Sequence, residues 1–235
     1  IKEKYMRYNE LTFQGRNAVL EAFRSGKTID KLFILDGCQD GPIKSIVREA
    51  KKTDAIINYV DKERLDRLAG TGHHQGVVAI GAAYEYAEVE DILAAAKEKG
   101  EDPFIFILDE IEDPHNLGAI IRTANLAGAH GVIIPKRRAV GLTATVAKTS
   151  AGAINYTPVA KVTNISQTIE ELKKQGLWFV CADMGGETMY NLNLKGPIGL
   201  VIGNEGNGVS RLVKDKCDFI ASIPMKGDID SLNAS

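Results

Sequence analysis

Cysteine is scarce in this chain of 235 residues. Cys38, Cys181 and Cys217 are the only three, far apart and without metal-ligand spacing. That argues against a disulfide framework or a zinc ribbon, and it suits a reducing, cytoplasmic compartment. No apolar run approaches the roughly 20 residues that a membrane-crossing helix needs. The start, Ile1-Lys2-Glu3-Lys4, is followed by no signal-peptide core. Membrane and secreted readings are therefore set aside. Neither sign of charge dominates, with 29 Lys plus Arg against 31 Asp plus Glu and a net charge of −2. The 44% hydrophobic and 26% charged content is that of a globular protein, with length for one large domain or two modest ones.

The near-zero balance conceals a local bias. Residues 1–82 carry 14 basic and 11 acidic side chains, residues 83–102 carry two and seven, and residues 103–235 carry 13 of each. A slightly basic N-terminal module could face a polyanion, although an excess of this size also suits an ordinary solvated surface.

The pattern of apolar residues divides the chain. After Gly15-Arg16-Asn17, the residues Ala18, Val19, Leu20, Ala22 and Phe23 read as a helix that stops at Gly26. A strand at Leu32–Leu35, a helix at 43–52, a strand at 56–60, a helix at 62–68 and a strand at 76–82 follow, giving a small α/β module over 1–82. The acidic stretch 83–102 reads as a linker with a surface helix around Ile92–Ala96. From Pro103 onward, Phe104–Leu108 is the first of several short, wholly apolar runs, as expected of strands buried on both faces of a parallel sheet. Runs at 132–134, 178–182, 198–202 and 219–223 alternate with helical stretches at 117–127, 143–151 and 165–175. Residues 103–235 thus form a second α/β domain with a mostly parallel sheet.

Three glycine-containing segments follow predicted strands of that domain: DPHNLGAIIRTANLAGAHG at 113–131, IGNEGNGVS at 202–210 and IPMKGDIDSLNAS at 223–235. Such loops lie beyond the carboxyl ends of strands, where open α/β sheets bind ligands. Their spacing is neither the dinucleotide fingerprint nor a phosphate loop, which disfavours a nucleotide-dependent oxidoreductase.

In this order, the three segments resemble the motifs of the SpoU (TrmH-like) RNA ribose 2′-O-methyltransferases of the SPOUT superfamily. Residues 15–25 (GRNAVLEAFRS) and 74–79 (HQGVVA) are similar to the N-terminal substrate-binding domain of its ribosomal RNA subfamily. The resemblance implies a SPOUT domain closed by a deep trefoil knot and an N-terminal α/β RNA-binding domain of the ribosomal-protein, kink-turn-binding type. It also implies S-adenosylmethionine as donor, no metal, a homodimer, and a guanosine of 23S ribosomal RNA as target. A tRNA enzyme or a resistance methylase of the same family is the alternative. From another class, a non-catalytic RNA-binding assembly factor competes. Carried over position by position, the catalytic set falls on Asn116, Arg122, Glu205, Ser231 and Asn233. The cofactor set falls on Gly203, Asn204, Ile223, Met225, Ser231 and Leu232. Arg122 suits electrostatic stabilisation of a developing alkoxide or contact with phosphate, with general base as the minority role, because arginine rarely gives up its proton. The family continues past its third motif into a C-terminal helix, whereas this chain stops at Ser235.

Each of these side chains also has a plainer reading. Asn116 could cap a helix starting near Leu117, Arg122 and Glu205 could be solvated, and Ser231 and Asn233 could form another cap. Lys136, Arg137 and Arg138, just after a strand, and His74, in a glycine-flanked loop, are candidates for RNA contact or simple surface residues. His115 and His130 have no partners at ligand spacing, so no metal site is expected. Cys181 and Cys217 fall in apolar surroundings as inert core residues.

Overall fold

The computed structural model describes residues 11–53, 55–70, 72–227 and 232–235. They form two compact units, one running to Glu85 and joined by Gly141–Ala144, the other comprising Tyr86–Val140 and Thr145–Ser235.

The first unit is built from β1 (Leu11–Gln14), α1 (Arg16–Arg24), β2 (Ile29–Leu35), α2 (Gly41–Lys52), β3 (Ile56–Val60), α3 (Lys62–Ala69) and β4 (Val77–Gly81). Its sheet has the order β1-β4-β2-β3, with β2 and β3 parallel and the other pairs antiparallel. Local chemistry sets the helix ends. Asp40 and Asp61 cap α2 and α3 by accepting the N–H groups of Ile43 and Arg64, and Gly70 ends α3 in the left-handed region at φ 64°. Alternation along β2 serves two cores. Leu32 and Ile34 pack with Val19 and Phe23 of α1 and Ile43 and Ile46 of α2. Phe33 faces the other way, onto Leu65 of α3 and Val78. The sheet is therefore covered by helices on both faces, which is why β2 is apolar almost throughout. The sequence pattern did not reveal β1, whose residues are at most half-buried.

The second unit contains α4 (Val89–Lys99), β5 (Phe104–Leu108), α5 (Pro114–Leu126), β6 (Gly131–Pro135), α6 (Ala144–Thr149), β7 (Val159–Val162), α7 (Ile165–Lys174), β8 (Trp178–Thr188), β9 (Ile198–Ile202), α8 (Arg211–Lys214) and β10 (Phe219–Ser222). All pairs of its six-stranded sheet, ordered β10-β8-β9-β5-β6-β7, are parallel. The core gathers Ile105, Ile107, Ile133, Phe179 and Val201 from the strands with Ile169 and Leu172 from α7. Cys181 belongs to it, and Cys217 packs against it.

The acidic stretch holds a helix where one was read, but most of the stretch belongs to the second unit and the helix buries one face. Tyr86 already belongs to the second unit, and the Ala87 N–H donates to Val159 O at 2.9 Å. In α4, Ile92 and Ala96 are fully buried while Glu90, Asp91 and Glu98 face solvent. Composition misleads here because acids one helix face away hide a single apolar stripe. Gly131 records the packing, since a Cβ there would stand 2.6 Å from the Ile92 side chain. Strand β7 also went unread, being four residues long.

Candidate active site

Loops 109–113, 203–210 and 223–227 leave the sheet at the carboxyl ends of β5, β9 and β10. Strand order reverses at β5, with β6 and β7 on one side and β9, β8 and β10 on the other. The first two loops flank this switch point, the usual ligand position in an open α/β sheet.

Loop 109–113 opens α5. Asp113 is the cap, its Oδ1 accepting the His115 N–H at 2.8 Å, and Pro114 fills an opening position where a missing N–H costs nothing. Asn116 is therefore inside the first helical turn and does not cap it, contrary to the plainer sequence reading. Its side chain is 7% exposed, and its Nδ2 donates to Oε1 of Glu205. Helix α5 lies tight against α6, because a Cβ on Gly118 would meet Thr149 Oγ1 at 1.8 Å.

Loop 203–210 closes on itself. The Asn204 N–H donates to Gly208 O at 3.1 Å, and the Gly208 N–H donates back to Asn204 O at 2.7 Å. Gly203 must be bare, since its Cβ would lie 2.1 Å from the Gly208 carbonyl carbon. The loop is then tied to its neighbour. Asn204 Nδ2 donates to Glu110 O at 3.1 Å, and the Ser210 N–H donates to Oδ2 of Asp109 at 2.8 Å. Asp109 is buried, and its own N–H donates to Ile202 O at 2.8 Å. Glu110 holds a left-handed φ of 58°, uncommon for a residue with a side chain. These contacts set Glu205 over Asn116.

On the far side, β8 is interrupted. Its register with β10 jumps between the pairs Ile220–Cys181 and Ala221–Glu187, and Gly186 passes so close that a Cβ would lie 2.2 Å from Ile220 O. The excursion carries Asp183, which pairs with Lys214 of α8. That ammonium, with the Met184 and Gly185 N–H groups, holds the Asp183 carboxyl below its ordinary range, and Asp183 raises Lys214 in return.

The other predicted residues divide by environment. Arg122 is exposed on α5, and among the described residues no hydrogen bond or ion pair holds it. Ile223, Met225 and Leu232 are 51%, 36% and 57% exposed. Asn233 Oδ1 accepts the Ser235 N–H at 3.3 Å, and Ser231 lies outside the described residues. Lys136 is half-buried and Arg137 exposed. Arg138, also at positive φ, is engaged by Glu110 at 2.9 Å. His74 is a correction. Its ring is buried, Nδ1 accepts the Gly76 N–H at 3.0 Å, and Nε2 meets Asp66 Oδ1 at 2.9 Å, so both ring nitrogens brace its own loop rather than standing free on the surface. His130 is likewise internal, between the Phe104 N–H and Glu101. Among the described residues, no group of three or more His, Cys, Asp or Glu could hold a metal ion. Asp109, Asp113 and the Asp183–Lys214 pair were missed in the sequence. For Asp109 the signal was there, an acid directly after a buried apolar strand.

Residues 103–235 match the model of the SpoU rRNA methylase family, and residues 14–87 match that of the RNA 2′-O-ribose methyltransferase substrate-binding domain. A Bacillus subtilis chain, YacO, assigned to the TrmH family of tRNA/rRNA methyltransferases, is 53% identical over 222 residues, covering 94% of this chain and 89% of its own. The SpoU methyltransferase AviRb from Streptomyces viridochromogenes, solved in complex with AdoMet, shares the fold with a TM-score of 0.58 at 24% identity, over 100% of this chain and 88% of that one. A TrmH/SpoU tRNA-modifying enzyme from A. aeolicus aligns with 57% of this chain and 68% of its own, at 26% identity and a TM-score of 0.50.

Proposed function

From the finding that this chain belongs to the SpoU family of RNA 2′-O-ribose methyltransferases, we propose that it methylates a guanosine ribose in large-subunit ribosomal RNA, with S-adenosylmethionine as donor. The ribosomal target is supported by the N-terminal substrate-binding match, whereas the tRNA-modifying neighbour aligns over only 57% of the chain. The AdoMet-bound neighbour of the same fold supports the donor.

The third loop suits an adenosyl group. Ile223 and Leu232 offer half-exposed apolar side chains, and Met225, Lys226 and Gly227 make no backbone hydrogen bond among the described residues. Apolar side chains beside uncommitted N–H and C=O groups fit a flat ring edged with donors and acceptors. We assign donor contacts to Gly203, Asn204, Ile223, Met225, Ser231 and Leu232, within the trefoil knot of this superfamily. When bound, the cofactor supplies a methyl group on a sulfonium.

The chain's own task is alignment and charge. Holding the ribose hydroxyl in line for displacement is worth about 7–11 kcal/mol of otherwise unpaid entropy. The Asn116–Glu205 hydrogen bond, which carries this reading, fixes the start of α5 against loop 203–210. Arg122 lies six residues further along α5, about 9 Å of rise. We assign its guanidinium, exposed and without a partner among the described residues, to stabilise a developing alkoxide or to grip the neighbouring phosphate. Ser231 and Asn233 complete the set as hydrogen-bonding residues at the donor loop. We further assign a homodimer as the working form.

The test is transfer of labelled methyl from S-adenosylmethionine to ribosomal RNA from cells lacking the protein, followed by mapping of alkali-resistant linkages. A single resistant guanosine linkage in the large-subunit RNA is expected. Label on a base, or on tRNA alone, would overturn the assignment.

A further inference from the structure

Helix α2 of the first unit carries two faces of different chemistry. Ile43, Ile46 and Ala50 point into the core. On the other side stand Lys44, Arg48 and Lys51, all exposed. At 100° per residue, these three cations fall within an arc of about 60° and span about 10 Å of helix axis. They surround a shallow open depression of about 410 Å³, lined by the same residues with Val47 and Lys52. Among the described residues, none of the three is in an ion pair. The one acid of the helix, Glu49, lies about 100° further around from Arg48 and is held by Lys52 at 2.9 Å. The cations near the His74 loop are differently placed, since Arg16 is committed to Asp40 at 2.5 Å and to the Gln75 carbonyl at 3.2 Å.

We infer that this face of α2 is a docking surface for the RNA phosphate backbone. The inference rests on the reading of the chain as an RNA methyltransferase and adds the place where its N-terminal unit grips. Three cations on one helix, in no ion pair among the described residues, match the polyanion rather than a base edge. Their span of about 10 Å covers a few successive phosphates of an RNA strand. Contacts of this kind fix register without reading sequence.

The closing experiment uses the full chain, a large-subunit ribosomal RNA transcript as probe, and two triple variants that each remove three positive charges. One is Lys44→Gln, Arg48→Gln, Lys51→Gln. The control is Lys27→Gln, Lys62→Gln, Arg64→Gln, exposed residues elsewhere on the unit. At about 0.1 M KCl the α2 variant should bind the transcript at least tenfold more weakly, and its slope of log affinity against log salt should fall by about 2 to 3. The control should stay near the wild-type line, and both should bind S-adenosylmethionine as wild type does. Equal salt slopes for the two variants would overturn the inference while leaving the methyltransferase reading intact. A wild-type chain that neither binds the transcript nor methylates it would overturn both. Sedimentation with anionic vesicles that only the α2 variant loses, with RNA binding unchanged, would overturn the inference in favour of a membrane surface.

Discussion

Cutting the Asn116–Glu205 hydrogen bond from its two ends leaves different groups behind, so the two costs should differ. Glu205→Ala strands the Asn116 amide, which is 7% exposed, without its acceptor. A buried donor left unmade costs about 1–3 kcal/mol. Asn116→Ala instead frees a carboxylate that is already exposed and can rehydrate, so its cost should be about 1 kcal/mol. Once either change is made, the other should add little, giving a coupling of about 1–2 kcal/mol in a double-mutant cycle. Urea unfolding followed by Trp178 fluorescence reads this directly, since the single tryptophan lies in β8 of the same unit. With a slope of about 1–3 kcal/mol/M, a loss of about 2 kcal/mol lowers the midpoint by roughly 0.7–2 M. Additive costs, or an Asn116→Ala variant weaker than Glu205→Ala, would refute the placement of the amide beneath the loop.

Other consequences follow from the same contacts. Ile92→Ala should destabilise the second unit by about 2–5 kcal/mol, as for a fully buried side chain, where a surface position would give less than about 0.5; the urea midpoint decides. Asp183→Asn tests the Lys214 pair through pH. Because the folded carboxyl lies below its unfolded value near ~3.9, the pair's stabilisation is present above that value and vanishes as pH falls through the folded one. The variant should therefore be less stable than wild type at neutral pH, by about 1 kcal/mol or less, and indistinguishable in strong acid. His74→Ala should cost about 1–3 kcal/mol by leaving the Gly76 N–H without its acceptor, with transcript binding changed less than twofold. A large loss of RNA affinity without loss of stability would refute the bracing role.

Much of the fold was legible because its signals are local. Phe104–Leu108 and Ile198–Ile202 are apolar throughout, as strands covered on both faces must be, and their bounds match the runs. The three motif segments are likewise a property of chain order, and they sufficed for the family. Partnership was not legible. Asn116 near a helix start reads as a cap until Asp113 takes that place and Glu205, 89 residues away, arrives as acceptor. Arg138 reads as free until Glu110 engages it, and His74 reads as a loop residue until its ring is buried between Gly76 and Asp66. The sequence by itself determined which faces of each element are apolar and where the elements stop, since a side chain's direction repeats every two or 3.6 residues along the chain. Only the tertiary structure decided what each polar side chain meets, because that depends on sheet order and loop path, which bring together residues that no local period connects.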